Sequence, residues 1–232
     1  MARMRMAKQC LRQYLENPDW RTHLDEIAHG GMAHVGPLFS FLLLSPRTMH
    51  RAAVALGETC AHLSQNAPEA ARNIIRRFMW HLNEESGNMG WGIPEAFAES
   101  LAASPPLARS FHKVLISYVI DLGRDDNYCD NSILRRSCYW GIGRLLQAHP
   151  AFEGAARPWL RRGLDDTDML CRGMAAWALG QLPAGMTETP ALRHLAKTGC
   201  NDPCVLFDGN DIYKKSVRRI ARETLLCWQV DP

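Results

Sequence analysis

Alternation of apolar with polar residues, the mark of a half-buried strand, is almost absent from these 232 residues. Sandwich and barrel folds are thereby set aside. Long apolar runs are lacking too: the strongest, Leu38 to Leu44, is interrupted by Ser40 and reaches about a third of a membrane span, so no membrane partner is expected. The first residues, Met1 to Lys8, break their apolar positions with charge every second or third residue, which differs from a secretory signal, and the cytoplasm is the expected location. Charge of one sign is scarce as well. With 27 Lys+Arg against 24 Asp+Glu the net charge is +3, too small by itself to draw nucleic acid, so any basic surface must be local.

Reactive motifs are also missing. The sequence holds no phosphate-binding loop, no dinucleotide glycine fingerprint, no HExxH and no GxSxG. It contains no His-Glu dipeptide, which iron-binding hydroxylases built on helical repeats require in pairs. His29, His34, His50, His62 and His81 fall on separate predicted elements, and none pairs with an evident nucleophile. The eight cysteines are scattered through helix-like sequence, which suits buried thiols rather than a disulfide framework. Only Cys200 and Cys204 lie close together, with His194 upstream, and without a second pair they make a weak zinc signal. No catalytic residue, metal or cofactor is assigned.

What the sequence does have is apolar residues at helical spacing from end to end. Apolar residues make up 47% and charged residues 22%, enough to fill a core without disulfide staples. Helices are predicted over 4–16, 19–28, 33–44, 47–64, 68–85, 94–103, 106–122, 132–147, 153–163, 168–182, 189–197 and 213–228. Pro18, Pro46, Pro68, Pro94, Pro105 and Pro190 stand at or near helix starts, where a missing N–H costs nothing. Two stretches resist the pattern. Residues 84–94 hold three glycines and read as a loop, and Asp208-Gly209 between short apolar stretches signals a small hairpin.

The most specific feature is an internal repeat. Asp168, Arg172, Ala175, Ala176, Trp177, Ala178, Leu179 and Gly180 align without a gap to Asn131, Arg135, Cys138, Tyr139, Trp140, Gly141, Ile142 and Gly143. Weaker matches run over 49–57, 94–101 and 217–221, placing one column at 57, 100, 143, 180 and 226, in steps of roughly 40 residues as two-helix repeats require. In 168–182, Leu170, Met174, Trp177, Ala178 and Leu182 form an apolar face. Gly173, Ala176 and Gly180 keep the opposite side small enough for another helix to approach. Asp168 is expected to cap its helix, and the Asn131/Arg135 and Asp168/Arg172 pairs to form a polar ladder between repeats.

The pattern D-x-x-x-R-x-x-A-A-x-A-L-G-x-L resembles the HEAT-like repeats of the bilin-lyase type found in bacteria, best at 168–182 and next at 131–145. It departs from that pattern at 94–101, which has no Arg, and at Met49, which occupies the Arg column. The resemblance implies an all-α fold, a right-handed α-α superhelix of HEAT-like helical repeats (an armadillo-like solenoid). It would form one domain over 1–232, with capping helices in 1–44 and about four to five repeats in 45–228.

Several side chains are candidates for binding a partner: Trp80, Glu84, Glu85, Trp91 and Glu95 around the glycine-rich loop, and Arg136 and Trp140 on a helix stripe with Arg144. A carboxylate beside aromatics can act as a general acid or base, while an Arg-Trp-Arg stripe can hold phosphate and stack a base. The same residues read equally as solvated loop charge and a half-buried Trp covered by arginines. Three functions follow as expectations. The first is a non-enzymatic scaffold that binds a protein partner on the concave surface of the solenoid. A second is suggested by similarity to the HEAT-like DNA alkylation repair family, in which Trp80, Glu84, Trp140 and Arg136 would hold an alkylated base on DNA. The third is a lyase or chaperone role toward a cofactor-bearing protein, implied by the bilin-lyase resemblance.

Overall fold

In the computed structural model, residues 2–83, 90–124, 126–208 and 211–231 are described. The chain divides into two compact units, Met1–His112 and Lys113–Pro232. Among the described residues, none of the helices is long and apolar enough to cross a membrane.

The first unit holds α1 (Ala2–Glu16), a 3-10 turn (Trp20–His23), α2 (Leu24–His29), α3 (Met32–Phe41), α4 (Pro46–Asn66), α5 (Pro68–Asn83), α6 (Ile93–Ala103) and the first part of α7 (Pro105–Ser117). Helix α4 is its axis, with α6 laid along it and α2, α3 and α5 packed around it. Ser45 caps α4 by accepting from the Thr48 amide, and Pro46 follows in the first turn. The close α4–α6 approach explains the first column of the repeat: a Cβ at Gly57 would stand 2.8 Å from the Glu99 carbonyl. Arg51 on α4 donates to the Leu15 and Asn17 carbonyls, which closes the end of α1.

The second unit continues with α8 (Ser132–Ala148), α9 (Glu153–Gly163), α10 (Met169–Leu179), α11 (Thr189–Thr198), strands β1 (Pro203–Asp208) and β2 (Asp211–Ser216), and α12 (Val217–Cys227). Helices α8, α10 and α12 stack in sequence order, while α9 packs on α10 and α11 on α12. The small residues of the repeat sit at these crossings. A Cβ at Gly143 would meet the Trp177 ring, one at Gly173 would meet Val217 and Cys204, and one at Gly180 would meet Thr224. Thr224 seals its crossing by donating to the Ala176 carbonyl at 3.0 Å.

The polar ladder exists, but its rungs differ from the expected ones. Arg135 forks onto Asp166 with both bonds at 2.9 Å, and Arg136 forks onto Asp168 at 2.9 and 2.6 Å. Arg172, expected to join the ladder through its side-chain partner, donates instead to the Asp166 carbonyl. Asp168 also caps α10 by accepting from the Cys171 amide, as Asn131 caps α8 through the amides of Ile133 and Leu134.

Some predicted boundaries move. The helix expected over 19–28 begins as a 3-10 turn, α7 stops at Ser117 rather than 122, and residues 213–216 pair as strand before α12 begins at Val217. The hairpin is antiparallel, with Pro203 opposite Ser216 and Asp208 opposite Asp211; its predicted turn at Gly209 lies outside the described residues. Lys214 and Lys215 join helix-like sequence by composition, but pairing with Val205 and Cys204 settles them in the strand.

Candidate functional site

The first unit carries an apolar groove of about 230 Å³ where the end of α3, the end of α5 and the start of α6 meet. Its origin is the run Leu38 to Leu44. Phe41 and Leu42 are buried by the core, but a helix end this apolar has more surface than its neighbours can cover, and Leu43 and Leu44 remain 63% and 44% exposed. Phe39 forms the groove floor and stacks on Phe78 at 5.2 Å. The Arg77 guanidinium lies over the Phe39 ring at 3.9 Å, and His81 leans on it at 5.8 Å. Burial, then the positive charge of Arg77, pushes the His81 imidazole below its usual value, so it is neutral at pH 7.

Gly92 fixes the opposite wall. Its φ of 73° is the left-handed conformation, and a Cβ there would collide with Met49 and Leu42. That turn starts α6 while leaving Trp91 and Ile93 against the groove. Arg77 makes no salt bridge among the described residues, whereas its neighbours Arg72 and Arg76 share Glu69. The groove therefore combines exposed aliphatic surface, aromatic walls and a cation without a salt bridge among the described residues.

Of the residues singled out from the sequence, Trp91 lines this groove. Trp80 stands beside it, 57% exposed, its ring edge-on to His81 at 5.0 Å. Glu95 lies beneath on α6 and is only 4% exposed, so its carboxylate is not presented to solvent. Glu84 and Glu85 lie outside the described residues. In the second unit, Arg136 is committed to Asp168. Trp140 is 1% exposed, packed parallel to Trp177 at 6.3 Å and edge-on to Phe207 at 5.5 Å. Two of the three members of the expected nucleotide-holding stripe are thus taken up within the unit: Arg136 is paired and the Trp140 ring has no open face. The groove residues that the sequence did not single out are Phe39, Leu43, Arg77 and His81; the excess of apolar residues at 38–44 is a signal for the first two, and none marks Arg77 or His81.

The stacked helix pairs of the two units define an all-α helical-repeat protein. No protein-family profile matches the chain. No curated protein sequence matches it either. Among solved structures it is similar to one described as computationally designed armadillo repeat proteins for modular peptide recognition, with 16% identity over 95% of this chain and 99% of that one and a TM-score of 0.44.

Proposed function

We propose that this protein is a non-enzymatic helical-repeat scaffold that binds a protein partner through the groove of the first unit. The partner presents an extended or helical segment with apolar anchors and an acidic flank. One observation carries the reading: exposed Leu43 lines a formed groove, exposed Trp80 stands beside it, and its cation Arg77 has no salt-bridge partner among the described residues. Scattered exposed apolar residues need no explanation, but several around one concavity mark a contact surface. The cation selects for carboxylates in the partner and against basic segments. The finer kinship with bilin-lyase-type repeats rests only on the residue pattern at 131–145 and 168–182. The pairing of Arg136 with Asp168 and the burial of Trp140 speak against two of the four residues on which a base-binding role was expected to rest.

A displayed peptide library selected on the full chain tests this. Enriched peptides are expected to carry Leu, Ile or aromatic anchors beside Asp or Glu. Leu43→Asp and Arg77→Glu each weaken binding at least about tenfold, a loss of about 1.4 kcal/mol. Enrichment of basic peptides, or binding indifferent to both substitutions while the helical circular dichroism is unchanged, would refute the proposal.

A further inference from the structure

The second unit holds a different kind of concavity, with a volume of about 280 Å³, and none of the partner-binding candidates from the sequence lines it. Tyr128 reaches it from the connection after α7, Tyr139 from α8, Trp159 and Arg162 from α9, and Asp165 from the link to α10. Asp166 also lines it and is paired with Arg135, the two side chains being 4% and 3% exposed. Arg135 also donates to the carbonyls of Cys129 and Asp130 at 2.8 and 3.0 Å, which pins the connection bearing Tyr128. The Tyr139 hydroxyl donates to Asp166 at 3.3 Å. Two of the three rings are therefore held by a network already in place, so a ligand need not organise them.

We propose that this pocket binds a small organic cation of the alkylammonium class. Two of its rings already carry cations on their faces: Arg135 stands 4.9 Å from the Tyr128 centroid, and Arg162 stands 5.4 Å from that of Trp159. An aromatic face attracts positive charge through its quadrupole, and weakly hydrated ammonium groups gain most from such walls. Asp121 and Asp165 add negative charge at the rim, and Asp165 forms no ion pair among the described residues. Asp166, by contrast, is saturated by Arg135, Tyr139 and the Asp168 amide, so it positions the rings rather than meeting the ligand.

Burial pushes the Tyr139 phenol up, and it does the same to Tyr128 despite Arg135, so both rings stay neutral. An anion would face the rim carboxylates. A hard metal ion would need three converging ligand groups, and among the described residues no such cluster exists. The volume lies just under the range of drug-sized pockets, which suits a single headgroup. Exposed Arg162 occupies the face of Trp159 that the ligand would take, so it competes with the ligand rather than binding it.

Titration of the full chain with choline, beside its uncharged isostere 3,3-dimethyl-1-butanol and followed by saturation-transfer NMR, reads this directly. Choline is expected to bind saturably and at least about tenfold more tightly than the isostere. Trp159→Ala should weaken choline about tenfold, Trp159→Phe should restore most of that loss, and Arg162→Ala should tighten binding. Leu43→Asp, in the other groove, should leave choline binding unchanged, which separates this site from the proposed peptide groove. Equal binding of the isostere, weakening by Arg162→Ala, or no saturable choline binding to the folded wild-type chain overturns the assignment.

Discussion

Removing the charge of Asp166 tests how the second unit is held together. Asp166→Asn keeps the shape of the side chain but places an uncharged amide against the Arg135 fork. Both oxygens of Asp166 are in use: one accepts from Arg135 Nε and the Tyr139 hydroxyl, the other from an Arg135 terminal nitrogen and the Asp168 amide. With both side chains nearly inaccessible, the guanidinium left behind is a buried charge without its counter-ion, a loss that typically costs about 3–5 kcal/mol. For a chain of this size that corresponds to a fall in melting temperature of roughly 6–20 °C. Thermal unfolding followed by circular dichroism, with exposed Asp165→Asn as control, measures it; the control should move stability by less than about 0.5 kcal/mol. The double variant Arg135→Met/Asp166→Leu should be more stable than Asp166→Asn alone, because it leaves no stranded charge, although the Cys129 and Asp130 carbonyls lose a donor. If Asp166→Asn melts with the Asp165→Asn control, the pair does not anchor the unit.

Burial raises the carboxyl of Asp168, but the Arg136 fork and the Cys171 amide outweigh it and hold the group at about 2 against an ordinary 3.8. A depressed carboxyl stabilises the fold above its unfolded value and loses that contribution as pH falls through the folded one. At about 1.4 kcal/mol per pH unit, the stability difference between wild type and Asp168→Asn should shrink by about 2 kcal/mol between pH 5 and pH 2, as read by urea unfolding. Gly143→Ala should cost about 1–3 kcal/mol, since its Cβ would stand 2.5 Å from the Trp177 ring, whereas Gly154→Ala in α9, with nothing within 4 Å, should stabilise by up to about 1 kcal/mol. Opposite signs for the two glycines in parallel melts are the expected result. Asn131→Ala removes a cap that accepts from two amides and should cost about 1 kcal/mol by chemical denaturation.

The repeat was legible because its small residues answer to a local rule. Gly57, Gly143 and Gly180 stand where a neighbouring helix comes too close for a Cβ, and spacing alone exposes such a column. The hairpin was legible for a similar reason, since Asp208-Gly209 is turn chemistry. Where side chains land after the chain returns on itself was not legible. Trp140 looked half-covered on its own helix, and it is Phe207, arriving on β1, that helps to bury it. Arg136 looked free for phosphate, and its partner Asp168 comes from the next repeat rather than from one turn away. The aromatic pocket draws Tyr128, Tyr139 and Trp159 from three segments with no shared period, so no scan along the chain groups them. The groove was half visible: Trp91 stood out in a glycine-rich stretch, while Arg77 was only one arginine among several.

Asp168 holds the N-terminus of α10 and, with the same carboxylate, receives Arg136 from α8. The start of α10 is therefore complete only once its predecessor is in place, and an excised α10–α12 fragment would begin with a weakened cap and an unanswered carboxylate. Arg136 on α8 is equally unanswered without Asp168, so α8 and α10 should form together, with breakage spreading between neighbours instead of staying confined to one helix pair.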